Sequence, residues 1–409
     1  MIGKLSGSAL ALVLILVAPA LSQDAGVLCS TLAASPYDPS TPTGEGKQIE
    51  DIDPLPAIEA CQKAVDDNPD IARMHFQLGR SLDAAEEYKK ALAEYGTAAE
   101  MGFALADVAL GSLYELGLGV KANADQAVAY YRKAFDQAGL PIAAANLGYV
   151  YDHGIGVNVD KSEAAKFFMI ASDAGIDWAS TSLGYLYETG AGVEADPNKA
   201  VKLYQIAAAA GDADGTNNLA SAYERGDGGL PQSFSKAAEL YKTAVEGGSG
   251  LAMANLGNLY AYGRGVAKDT DKAEELFRSA IKSSDPYAVA RAQNDLAWGF
   301  ALTKSNLEEA EQLATAAVGY DADDPITLDT LGWIKHLRGD NEAALELLSK
   351  AAQVKPATSQ LAHLGAVQQA MGQNVEAYAS YSAALDAVSD EFDDATVDLK
   401  AIKDWLQAN

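Results

Sequence analysis

A short pattern recurs through the middle of the chain. Each copy has a leucine followed by glycine or alanine, then a tyrosine three residues later, then a glycine-containing loop. The leading pairs stand 36 or 37 residues apart, at Leu110-Gly111, Leu147-Gly148, Leu183-Gly184, Leu219-Ala220 and Leu256-Gly257. Apolar residues at helical spacing on both sides of a loop predict one helical hairpin per repeat. Because a single hairpin cannot bury its apolar face, we expect the hairpins to stack into an all-α solenoid.

The repeats divide the chain into segments. After the last glycine loop the period shortens, since Leu296, Leu331 and Leu364 are 35 and 33 residues apart. Breaks fall at turn-forming pairs such as Asp285-Pro286. The predicted segments are an export signal (1–22), an irregular stretch (23–54), a hairpin (55–103), five glycine-loop repeats (104–284), shorter repeats (285–389) and an acidic, solvated linker with a capping helix (390–409).

The mid-helix glycines of the leading pairs need a structural reason. Glycine inside a helix costs about 1 kcal/mol relative to alanine. We expect close approach of the second helix, through small alanines such as Ala134 and Ala208, to compensate for this cost. Aromatic residues that recur on the second helices, such as Tyr131 and Tyr204, are expected to fill the space between hairpins.

The N-terminus and the two cysteines both indicate export. An apolar run from Ala9 to Val17 precedes small residues up to Ser22, as in a signal peptide. The run is too short to span a membrane, so no membrane insertion is expected after signal cleavage. Cys29 and Cys61 follow, and in an oxidising compartment they predict one structural disulfide. The expected location is the periplasm, with secretion as the alternative.

The formal net charge of −27 limits the class of partner. Such a field repels phosphate backbones and anionic lipid headgroups, so neither nucleic acid nor a membrane surface is an expected partner. A protein or an extended peptide that is basic or neutral fits better. The alternative is that the charge only keeps a large exposed solenoid in solution.

The repeat residues resemble a known family. The pattern Ala144-x-x-Leu147-Gly148-x-x-Tyr151-x-x-Gly154-x-Gly156-Val157 resembles the Sel1-like repeat, and the shorter units at both ends resemble tetratricopeptide repeats. The resemblance, closest to the exported bacterial type, implies a right-handed α-solenoid of stacked antiparallel helix pairs. It also implies a protein-binding adaptor, assembly factor or regulator. Members studied as β-lactam-binding enzymes carry a disulfide in each repeat, whereas this chain has no cysteine after Cys61.

Catalytic signatures are not apparent in the sequence. The four histidines lie on distant repeats, and no metal-ligand or nucleophile motif has supporting context. The glycine loops join two helices and predict turns, with Asp160, Asp196 and Asp269 as helix N-caps. We therefore expect no enzyme and no cofactor. Two alternatives stay open: a hydrolase of cell-wall peptides or β-lactams, and a negative regulator bound to the external domain of a membrane sensor.

Candidate binding residues lie on the first helix of each hairpin, which lines the concave side of such solenoids. Asn146, Asn218 and Asn255 share one position, two residues before the glycine or alanine of the pair. An amide both donates and accepts hydrogen bonds, so this series could hold a peptide backbone. Alternatively, the amides satisfy local groups or face water. Aromatic, acidic and amide contacts are expected nearby, from Tyr149, Asp152, Tyr185, Glu188, Asn258 and Tyr262.

Overall fold

A computed structural model describes residues 24–41, 45–388, 394 and 396–408. The predicted signal, residues 1–22, lies outside the described residues. The described part contains 21 α-helices, a 3-10 turn at Ile49–Asp51 and no strand. The helices are α1 Ala25–Ala33, α2 Pro54–Asp67, α3 Ala72–Ala84, α4 Tyr88–Glu100, α5 Ala104–Leu116, α6 Ala124–Ala138, α7 Pro141–His153, α8 Lys161–Asp173, α9 Asp177–Thr189, α10 Pro197–Ala210, α11 Ala213–Arg225, α12 Phe234–Glu246, α13 Gly250–Tyr262, α14 Thr270–Ala280, α15 Pro286–Thr303, α16 Leu307–Tyr320, α17 Pro325–Leu337, α18 Asn341–Val354, α19 Thr358–Ala370, α20 Asn374–Asp386 and α21 Leu399–Ala408.

The helices pair and stack as the repeat predicts. The odd-numbered helices from α3 to α19 are the first helices of the hairpins, and within each compact unit they contact the even-numbered helix that follows, as in α5–α6 and α17–α18. Within each unit, a second helix then contacts the first helix of the next hairpin, as in α10–α11. The fold is therefore an α-solenoid of stacked helix pairs. It divides into two compact units, residues 1–167 and 168–409.

The glycine loops are turns, as the sequence predicts. The first glycine of a loop ends the first helix in the left-handed conformation, for example Gly154 with φ 73°. The second also needs glycine: at Gly156 (φ 66°), a Cβ would lie 2.6 Å from the carbonyl oxygen of Ala124. The aspartates that follow accept hydrogen bonds from backbone N–H groups, as Asp196 does from Lys199. Asp160 and Asp269 cap α8 and α14 in the same way.

The mid-helix glycines make room for an aromatic ring, which corrects the expectation of alanine contacts. A Cβ on Gly111 would lie 2.4 Å from the ring of Tyr131, and one on Gly184 would lie 2.6 Å from the ring of Tyr204. Both tyrosines are fully buried. The glycine is therefore needed because the large side chain of the second helix lies directly over the first helix.

The N-terminal segment is more ordered than expected. Residues Ala25–Ala33, predicted to be irregular, form α1, whose N-terminus is capped by Asp24 accepting from the N–H of Gly26. The predicted disulfide between Cys29 and Cys61 is confirmed, and both residues are fully buried. It joins α1 to α2, so the bond holds a short helix that could not bury enough apolar surface alone.

Candidate binding surface on the first helices

The first helices form an inner layer within the second unit. Consecutive first helices contact one another from α9 through α11, α13, α15 and α17 to α19. In the described part of the chain, consecutive second helices make no comparable contact. Because the first helices are close to one another and the second helices are further apart, the first helices lie on the inner side of the stack. We call the solvent-facing side of α9, α11, α13, α15, α17 and α19 the inner surface.

Two of the predicted asparagines belong to an amide chain in this layer. The side chain of Asn255 on α13 donates to the Oδ1 of Asn217 on α11 at 2.9 Å. Asn217, which the sequence analysis did not select, is buried and donates to Asn218 at 3.1 Å. Asn218 and Asn255 are half-buried. Asn146 is also half-buried, but it lies on α7 in the first unit.

A second polar cluster joins α13 to α15. Asn258 donates to Asp295 at 2.7 Å, while Arg291 lies 3.8 Å from the same carboxylate. Burial raises the pKa of the Asp295 carboxyl, and the positive charge of Arg291 opposes this rise. Asn294, next to Asp295, is buried with its Oδ1 unpaired among the described residues. Asn258 is thus engaged in holding neighbouring helices together.

The two predicted acidic contacts have partners within their own unit. Glu188 accepts from the hydroxyl of Tyr204 at 2.6 Å and pairs with Arg225 at 2.6 Å. Asp152 pairs with Lys161 at 2.9 Å. Tyrosines on other second helices bond to the first helix in the same way, for example Tyr131 to Glu115 at 2.8 Å. The main role of these carboxylates is therefore to stabilise the packing of the hairpins.

The predicted tyrosines are the groups with the most free surface. Tyr185 on α9 is 55% exposed and Tyr262 on α13 is 43% exposed, both in the second unit. Tyr149 on α7, in the first unit, is 40% exposed and stacks against His153. Large aromatic side chains in water are available for contact with a partner, because their burial on binding is favourable and loses little rotamer entropy.

Sequence reasoning missed an aromatic group at the C-terminal end of the inner surface. Trp298 on α15 and Trp333 on α17 both approach His363 on α19, with ring centroids 5.9 Å and 4.3 Å from its imidazole. Both tryptophans follow directly after the leading pair of their repeat, the position that Tyr149 and Tyr185 occupy. That shared position is the signal that could have identified them.

The residues that the structure describes offer neither a metal site nor a membrane-spanning helix. No group of three or more histidines, cysteines and acidic residues in these ranges could hold a metal ion. Among the helices that the structure describes, none has the length and apolar character needed to cross a bilayer.

Comparison with known proteins identifies the family. The Sel1 repeat model matches residues 104–138, 141–176, 179–212, 213–249, 250–285 and 332–353. A Sel1 repeat protein from Oxalobacter formigenes is 31% identical over 59% of this chain and 98% of its own, with a TM-score of 0.52. The chain belongs to the Sel1 repeat family. A protective antigen of uropathogenic Escherichia coli that displays an SLR fold is 25% identical over 85% of this chain and 74% of its own, with a TM-score of 0.57. No protein with a curated description matches this chain.

The Sel1 matches agree with the hairpins of the structure. Five of them cover the helices from α5 to α14 in sequence, and the sixth, residues 332–353, falls within α17 and α18. The sixth match lies in the part that the sequence analysis compared with tetratricopeptide repeats. Sel1 repeats thus occur in both compact units.

Proposed function

We propose that this Sel1 repeat chain is an exported scaffold that binds a protein or an extended peptide on its inner surface. It would act as an adaptor, an assembly factor or a regulator. Tyr185 on α9 and Tyr262 on α13, two first helices separated by α11, carry this proposal, because these residues are 55% and 43% exposed. The half-buried Asn218 lies on α11 between them, and the half-buried Asn255 lies on α13 with Tyr262; such amides can bond to a peptide backbone.

The expected compartment and partner charge follow from other features. The buried disulfide between Cys29 and Cys61 fits an oxidising compartment, such as the periplasm. The net charge of −27 favours a basic or neutral partner, since an acidic one would be repelled over a distance of about one Debye length, roughly 8–10 Å. Exposed tyrosines together with half-buried amides suit an extended segment that is bound mainly through its backbone.

Affinity capture with matched variants tests the proposal. The double variant Tyr185→Ser, Tyr262→Ser removes both exposed rings. Its control is Tyr378→Ser on α20, a second helix, where the tyrosine is 47% exposed. A partner captured from the producing cells by the unmodified chain and by the control, but lost by the double variant with an unchanged circular dichroism spectrum, supports the inner surface. Equal capture by all three chains would exclude it.

A further inference from the structure

The residues that lead into the last helix contact the inner surface. We call Asp394 and residues 396–398 the lead-in. The hydroxyl of Thr396 lies 2.6 Å from Nε2 of His363 on α19. The negative charge of Asp394 also acts on the hydroxyl of Tyr262 on α13. This region is expected from the sequence to be a solvated linker, but these residues lie against the aromatic group of the inner surface.

The hydrogen bonds around His363 indicate its charge state. Its Nδ1 lies 2.9 and 3.1 Å from the two carboxylate oxygens of Asp329, which can only accept. The Thr396 hydroxyl donates its single proton to Asp394 at 2.6 Å, so it accepts from Nε2. Both ring nitrogens therefore carry a proton, and the imidazole is positively charged between two carboxylates.

The surroundings of His363 agree with that charge. The side chain is only 1% exposed, and burial alone would lower its pKa. The charge and hydrogen bonds of Asp329, together with the charge of Asp394, outweigh burial and raise the pKa of His363 above 6.5. Asp398 and Tyr381 are the other titratable groups at this cavity, and α21 contributes only Ala401, Ile402 and Trp405.

The apolar contacts of α21 are few. Ile402 is its buried residue, Trp405 and Leu406 are partly buried against the same cluster, and the ring of Trp405 lies edge-on to that of Tyr381 at 5.3 Å. A cavity of about 290 Å³ remains between α21, α19 and α20. A helix with little buried surface and a space beneath it opens at low free-energy cost. The bonds to His363 thus add to these apolar contacts in holding the lead-in and α21 in place.

We propose that the lead-in and α21 form a pH-dependent cover over the C-terminal end of the inner surface, held closed by the charged His363 and released when its imidazole loses a proton. The neutral ring has one N–H. If the proton stays on Nδ1, Thr396 must turn away from Asp394 to donate to Nε2; if it stays on Nε2, a lone pair faces Asp329. In either case the two carboxylates lose the positive charge between them.

The consequence deepens the proposed function and rests on it. In the closed state the cover lies over His363 and Trp333, so a partner cannot reach this end of the inner surface. The cover belongs to the same chain as the inner surface, so its acidic residues are held at a high effective concentration near His363. This favours their binding to the charged imidazole despite the negative net charge of the chain. Since the closed state has the raised pKa, the cover is closed below about pH 6.5 and opens as the pH rises through the raised value.

Hydrogen exchange of α21 tests the cover without any partner, so its result is independent of the proposed function. In the full chain, amide protection factors of Leu399–Ala408 should fall about tenfold or more from about pH 6 to about pH 9, the effect of losing one charge-assisted hydrogen bond. Protection of Asn374–Asp386 in α20 serves as the internal reference and should stay unchanged.

Three variants complete the test. His363→Gln should give low α21 protection at both pH values, and Thr396→Val should lower it already at about pH 6. Lys403→Gln, an exposed position on α21, should behave like the unmodified chain. The proposal is overturned if α21 in the unmodified chain is equally protected at both pH values. It is also overturned if α21 in Thr396→Val is as protected at about pH 6 as in the unmodified chain. A fall in α21 protection between about pH 6 and about pH 9 that persists in His363→Gln would overturn it as well.

Discussion

Replacing Gly184 by alanine should destabilise the hairpin of α9 and α10, although alanine is the better helix former. Alanine gains about 1 kcal/mol of helix propensity. Its Cβ, however, would lie 2.6 Å from Cε1 of Tyr204 and 3.3 Å from the carbonyl oxygen of Ala200. The ring cannot retreat easily, because its hydroxyl bonds to Glu188 at 2.6 Å. Overpacking of this kind costs about 1–3 kcal/mol, so after the gain in helix propensity we expect a net loss of up to about 2 kcal/mol.

Gly299 provides the matched control for this change. It also lies inside a helix, α15, but nothing lies within 4 Å of the position of its missing Cβ. Gly299→Ala should therefore stabilise the chain by about 0.5–1 kcal/mol. Urea unfolding followed by circular dichroism gives the free energies, and hydrogen exchange shows which hairpin changes, since repeat arrays unfold in parts.

The sign of the two effects decides the outcome. Opposite signs support the account in which the glycine makes room for the ring. If Gly184→Ala stabilises the chain as much as Gly299→Ala does, the ring has moved aside and the account is refuted. Repeat four already has Ala220 beside the buried Tyr241, so such a shift is physically accessible there.

Three other predictions concern single interactions. The double change Cys29→Ser, Cys61→Ser opens a loop with a sequence separation of 32 and should cost about 4 kcal/mol in the chain-entropy model, seen as lost amide protection in α1; unchanged protection would contradict it. Burial raises the pKa of the Asp295 carboxyl, so the protonated carboxyl contributes to the free energy of unfolding. This contribution is fully present below about pH 3.9 and is lost as the pH rises through the raised pKa. Asp295→Asn should thus raise the free energy of unfolding at about pH 7 and not at about pH 3, and a decrease at neutral pH would count against this. Tyr204→Phe should lower the free energy of unfolding by about 1–3 kcal/mol through the lost bond to Glu188, whereas an unaltered urea midpoint would disprove that role.

The fold was predictable because the repeat is explicit in the sequence. The spacing of the leading pairs predicts the hairpins, and the aspartates after each loop predict the helix caps. The partner of each glycine was not predictable from composition, since alanines and one aromatic residue lie on the same second helix. Only the packing shows that the Tyr131 ring covers Gly111.

The candidate surface was predictable only in part. Asn218 and Asn255 could be identified because both lie two residues before the glycine or alanine of a leading pair. The buried Asn217 that joins them lies one residue earlier, so this rule does not select it. Trp298 and Trp333 share the register of Tyr185, yet they lie where the glycine loop is lost from the sequence. His363 and Thr396 are 33 residues apart, and no repeat relates them. Contacts between unrelated positions of this kind need coordinates.

Site-specific photo-crosslinking in the producing cells tests the central claim most directly. A photoreactive phenylalanine analogue replaces Tyr185, Tyr262 or, as the control, Tyr378, in three otherwise identical chains. Tyr185 and Tyr262 lie on first helices of the second unit, while Tyr378 lies on a second helix with comparable exposure. The account predicts that positions 185 and 262 crosslink to the same partner and that position 378 does not. Crosslinking of that partner from position 378 alone would contradict a binding surface on the first helices.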